Sequence, residues 1–129
     1  MSEELQSRLV SDLRSLRLPV DEVEVSIRPY SKTFYGRYFP SHDDKKPRIF
    51  IYPFTDKSDE DCYPYSNLLS TAIHEMVHHL QYTNSNFIRY KGIMHNTQFW
   101  QLYNHYINRA IKLNKMEVKS HETTKYATV

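Results

Sequence analysis

The chain has 129 residues, of which 40% are hydrophobic and 14% aromatic, and a formal net charge of +2. That length sets one domain with a single core, and a mean hydropathy of −0.69 argues against membrane insertion. The small charge excludes nucleic-acid binding driven by overall charge, and the lone Cys62 excludes a disulfide framework or a cysteine metal site.

At the start of the chain, acidic Glu3 and Glu4 stand where a signal peptide would be basic. No apolar run approaches the roughly 20 residues a spanning helix needs. With Cys62 alone, a reducing cytoplasm is the expected setting. Leu5, Leu9, Leu13 and Leu16 mark an amphipathic first helix that ends before Pro19. Val23, Val25 and Ile27 then alternate with Glu22, Glu24, Ser26 and Arg28, the pattern of a half-buried strand. A second strand is expected over Thr33–Phe39, with Gly36 as a bulge or bend, and Pro40–Pro47 reads as a polar turn. Arg48–Phe54 is the third strand. Its two faces are both apolar, so helices should cover one while the other is partly shielded. Pro53 removes a ladder donor and predicts an edge strand, open to pairing with an extended peptide. The loop Thr55–Tyr65 is expected to border the site carried by the next helix.

That helix is marked by Leu69, Ala72, Ile73, Met76, Val77 and Leu80 at spacings of three and four. Ser66 or Asn67 is expected to cap it, and Asn84-Ser85-Asn86 to stop it. It carries His74-Glu75-Met76-Val77-His78. Two imidazoles four residues apart lie about 40° apart around a helix and one turn along it, so both can reach one ion. Glu75 sits beside such an ion, placed to take a proton from a water activated by it.

A catalytic zinc needs a third protein ligand. Downstream of His78 there is no Asp, and Glu117 and Glu122 fall in a polar tail, which leaves His79, His95, His105 and His121. His79 points about 100° away from His78, and His121 is close to the chain end. His95 is favoured over His105. It follows an expected reversal, Lys91-Gly92-Ile93-Met94, and precedes Asn96, which can cap a new helix. That helix would pack its stripe of Phe99, Tyr103, Tyr106, Ile107, Ala110 and Ile111 against the first. His105 lies on the flank of the stripe.

The HExxH motif, a spacer and His95-Asn96-Thr97-Gln98-Phe99-Trp100 together resemble the SprT-like (Spartan-type) zinc metallopeptidases. Tyr35-Gly36-Arg37-Tyr38-Phe39 followed by Arg48-Ile49-Phe50-Ile51-Tyr52 resembles that family's hairpin less sharply. The resemblance implies an α+β, minimal zincin-like fold: an N-terminal helix, a small three-stranded sheet, an active-site helix and a second ligand-bearing helix. It implies a peptidase domain over residues 1–115, and the polar composition beyond Lys115 reads as a flexible tail over 116–129. It also implies one Zn2+ held by His74, His78 and His95, with Glu75 as the catalytic base acting on a protein or peptide substrate. Asn96 replaces the family's usual Gly, and the four-cysteine ribbon of many members has no counterpart here.

Two rival readings share the same motif. One is a non-catalytic zinc-binding adaptor, with the fourth coordination position closed by protein; the other is a zinc amidase acting on a non-protein amide. Tyr90, Tyr103, Tyr106, His79 and His105 are candidate oxyanion donors. From Thr83 onward seven Lys or Arg face two Glu, and Arg109, Lys112, Lys115 and Lys119 offer weak nucleic-acid contact or simply a solvated helix face.

Overall fold

The computed structural model describes residues 2–84 and 94–117. The leucine stripe forms helix α1 (Ser2–Ser15), and Leu9, Leu13 and Leu16 are fully buried. Arg17 closes this helix in the left-handed region (φ 65°), where the Leu18 and Arg17 amides bond back to the Leu13 and Arg14 carbonyls. This Schellman arrangement satisfies the last carbonyls and turns the chain toward the sheet. A single 3-10 turn, Val20–Glu22, then leads into strand β1 (Glu24–Ile27).

Strands β2 (Gly36–Phe39) and β3 (Arg48–Ile51) complete a three-stranded mixed sheet in the order β1-β3-β2. β3 runs parallel to β1 and antiparallel to β2. The expected edge strand is therefore central, and the edges are β1 and β2. The physical reason is the position of Pro53. The ladder ends at Ile51, so the missing proline amide lies beyond it and costs no strand–strand bond. The second strand is also shorter than expected, beginning at Gly36.

Register sorts the sheet into two faces. Val25, Ile49 and Tyr38 form one inward row, and Ile27, Ile51 and Gly36 the next. Ile49 and Ile51 are fully buried, with the next helix, α2 (Tyr65–Thr83), packed on β3 and α1 packed on β1. The opposite face carries Phe39 and Phe50, screened by guanidinium groups. Arg48 lies 4.8 Å from the Phe39 ring and Arg28 4.7 Å from the Phe50 ring, the partial shielding that two apolar faces require.

Helix α2 is the centre of the molecule, with Leu68, Leu69, Ala72, Ile73, Met76 and Val77 all buried. It starts directly after Pro64, and no side chain caps it, so Ser66 and Asn67 lie in its first turn instead. Asn84 ends it as expected. Helix α3 (Thr97–Lys112) packs on α2 through Phe99, Tyr103 and Ala110. Met116 adds to the core, and the Glu117 amide bonds to Ser66 Oγ at 3.2 Å. Residues 118–129, most of the expected tail, lie outside the described residues, as does the expected reversal at 91–93. Among the described residues no helix is long and apolar enough to cross a membrane.

Candidate metal centre

The period of α2 places His74 and His78 one turn apart on the border between core and cleft. His95 comes from a separate segment, at the residue before the α3 cap. Asn96 makes that cap, its side chain accepting from the Phe99 amide at 2.9 Å, as its sequence position predicts. The consequence is a convergence of three ring nitrogens. His95 Nε2 lies 3.1 Å from both His78 Nε2 and His74 Nε2. Tetrahedral bonds of about 2.0–2.1 Å to a shared ion require ligand nitrogens about 3.3 Å apart, so the spacing fits one cation. The three form a group able to hold a metal ion. Among the described residues no fourth His, Cys, Asp or Glu joins them.

The environment keeps these imidazoles neutral, which is the form that ligates. Burial pulls the His74 pKa down to about 2, and charge on His78 or His95 would depress it further. Burial likewise lowers His78 to about 4, opposed by its hydrogen bond to Gln81. His95 is also lowered by burial. Around them sits an aromatic frame. The Phe99 ring lies 4.9, 4.8 and 4.9 Å from the His74, His78 and His95 rings, and Trp100 stacks on His95 at 5.8 Å. Rings locked this way hold their orientation before any ion arrives.

Glu75 is 2% exposed, and its Oε2 has no hydrogen-bond partner among the described residues. Burial pushes this carboxyl up to about 8, with the Arg37 guanidinium pulling the other way. An orphaned buried carboxylate oxygen is costly unless a positive charge comes near it, and a nearby dication would supply that charge. On this ground the residues present fit a metal ion.

Gly36 is not a bulge; it is a point of close approach. A Cβ there would lie 2.6 Å from Thr71 Cγ2 and 3.3 Å from Glu75 Oε2. Only glycine lets β2 cross α2 at the level of Glu75. A cleft of about 260 Å³ opens at this crossing, lined by Phe34, Gly36, Arg37, Tyr38, Glu75, His78, Tyr82, Met94 and His95. The loop over residues 55–65 is absent from this lining, contrary to expectation. It precedes His74 by two and a half turns of α2, about 14 Å, and lines a different and larger cavity with Arg8, Tyr65 and Leu68. That cavity holds no comparable convergence of groups.

The remaining histidines separate as their helical positions demand. His79 is 1% exposed and faces away from the cluster, its Nδ1 2.8 Å from the Tyr38 hydroxyl and its Nε2 2.8 Å from Glu22 Oε1. His105 is exposed on α3 against Tyr106. Of the other oxyanion candidates, Tyr103 is buried in the α2–α3 contact, Tyr106 does not line the cleft, and Tyr90 lies outside the described residues, as does His121, weighed as a third ligand. Among the described residues the tyrosines of the cleft are Tyr38 and Tyr82.

Two features carry little signal in the sequence. Arg37 and Tyr38 read only as hairpin residues. Gln81, three positions after His78 and fully buried, accepts from His78 Nδ1 at 2.8 Å and donates to the Met94 carbonyl at 2.6 Å. Its position on the inward face of α2 was the only available signal. Of the basic series, Lys115 pairs with Asp12 at 3.3 Å, and Lys119 lies outside the described residues. No protein-family model matches this chain, and no curated protein matches it.

Proposed function

We propose that this chain is a zinc-dependent metallopeptidase with a minimal zincin-like fold, hydrolysing peptide bonds in a protein or peptide substrate. One observation carries the reading. Three imidazole nitrogens converge while Glu75, on the same helix and lining the same cleft, stays outside the ligand set. A three-histidine donor set with an open position suits Zn2+, and the two histidine motifs resemble those of the SprT-like peptidases. A closed, purely structural site needs a fourth protein ligand, and none joins the group among the described residues.

Zinc, when bound, supplies Lewis acidity that polarises a carbonyl and makes water acidic near neutral pH. Glu75 takes the proton from the attacking water as its oxygen adds to the carbonyl carbon. The same carboxyl then delivers that proton to the departing amine nitrogen as the C–N bond breaks. Strand β2 borders the cleft and is an edge of the sheet, so an extended peptide can align on it through backbone hydrogen bonds. The edge role expected of the third strand thus passes to β2.

The test is Glu75→Gln, assayed with an unfolded protein substrate beside metal analysis. Metal content should persist while cleavage falls by about 10²- to 10⁴-fold, the range for loss of a general base. Undiminished cleavage in the variant refutes the assignment.

A further inference from the structure

A fully buried position on the core-facing side of a helix ordinarily carries an apolar side chain, yet position 81 is glutamine. Burying a primary amide is unfavourable unless its polar ends find partners. Both ends of Gln81 do, and the partners are a metal ligand and the residue next to another one.

The geometry fixes the proton positions. A backbone carbonyl can only accept a hydrogen bond, so the Met94 oxygen at 2.6 Å must face the Gln81 amide nitrogen. That leaves Gln81 Oε1 against His78 Nδ1 at 2.8 Å. This oxygen also only accepts, so Nδ1 carries the hydrogen. In a neutral imidazole the other nitrogen is then bare, and it is His78 Nε2 that points at His95 Nε2, 3.1 Å away. The second bond acts on the third histidine. Met94 immediately precedes His95, so the amide clamps the segment carrying His95 onto α2.

We propose that Gln81 is a positioning residue for the metal site, setting the ligating tautomer of His78 and holding His95 within reach of the same ion. This rests on the metal-site reading above, and it places a demand on the chain that the HExxH motif does not contain. One side chain links the two halves of the ligand set, the helix pair and the distant third histidine.

The two bonds can be cut separately. Gln81→Glu keeps an acceptor for His78 and removes the donor to Met94; Gln81→Met removes both at similar size. Three readouts apply to purified protein: the His78 tautomer in metal-free protein by long-range ¹H–¹⁵N correlation, zinc affinity by chelator competition, and the visible spectrum with Co2+ as the probe. Wild type is expected to show His78 protonated on Nδ1. Both variants should bind zinc about 10- to 100-fold more weakly, the usual consequence of losing a group that orients a ligand. Gln81→Glu should retain the tautomer but lose Co2+ band intensity as His95 withdraws. Gln81→Met should lose the tautomer as well. Wild-type protein with the proton on His78 Nε2 overturns the proposal even if neither variant folds. Folded variants with unchanged zinc affinity and an unchanged Co2+ spectrum also overturn it. Wild type that binds neither metal refutes the parent reading instead, and the tautomer measurement still reports on Gln81.

Discussion

His78 and His79 are neighbours on α2 and both are largely enclosed, yet they belong to two different devices. His79 commits both ring nitrogens to the protein, one to the Tyr38 hydroxyl and one to Glu22, and so fastens strand β2 and the 3-10 turn to the helix. His78 gives only Nδ1 to the protein and aims Nε2 at His95. A rotation of about 100° per residue is enough to separate the two roles. The contrast marks His78 as the candidate ligand. Depth of burial is no guide, since His79 is the more buried of the two; a ring nitrogen facing other imidazoles is.

Phe99 contacts all three cluster imidazoles and belongs to the core, so Phe99→Ala should lower the unfolding free energy by about 3–5 kcal/mol and weaken metal binding together, read by urea unfolding and chelator competition. A second test sets the neighbours against each other. His78→Ala should weaken metal binding by more than about 100-fold, beyond the effect of losing an orienting group. His79→Ala should leave metal content intact while costing about 1–3 kcal/mol of stability, because Tyr38 and Glu22 lose a buried partner. Equal metal loss in both variants would erase the distinction.

Gly36→Ala forces a Cβ against Thr71 and Glu75, and should destabilise by about 1–3 kcal/mol with a larger proportional loss of cleavage, since Glu75 itself must move. The smallest effect concerns the hydroxyl that bonds His79. Burial, and then the charges of Tyr82 and Glu22, push the Tyr38 pKa from 10.0 up to about 12. A pKa raised on folding gives a contribution that is whole below the unfolded value and is lost as pH rises through the folded one. Thermal stability should therefore decline between pH 10 and about 12. Tyr38→Phe should make that decline shallower, with Tyr65, also raised by burial, accounting for part of what remains.

Much of this arrangement is legible in the sequence because it is local. A period of 3.6 places His74, Glu75 and His78 together, and the Asn96 cap sets the start of α3 and with it His95. What is not legible depends on partners far along the chain. Parallel pairing of β1 with β3 makes β3 central, and nothing within Arg48–Ile51 announces that. Gly36 reads as a bend until Thr71 and Glu75 are placed beneath it. Gln81 reads as an ordinary helix residue until Met94, 13 positions on, closes against it. The loop over residues 55–65 lies away from the site because its nearness to α2 in sequence says nothing about which end of the helix holds the site.

The most direct test of a shared ion is the metal content of protein purified without chelators, comparing wild type with His95→Ala and His105→Ala. Wild type and His105→Ala should each carry one zinc per chain, and His95→Ala should carry none. Zinc retained in His95→Ala, or lost in His105→Ala, would contradict the convergence of His74, His78 and His95 on a single site.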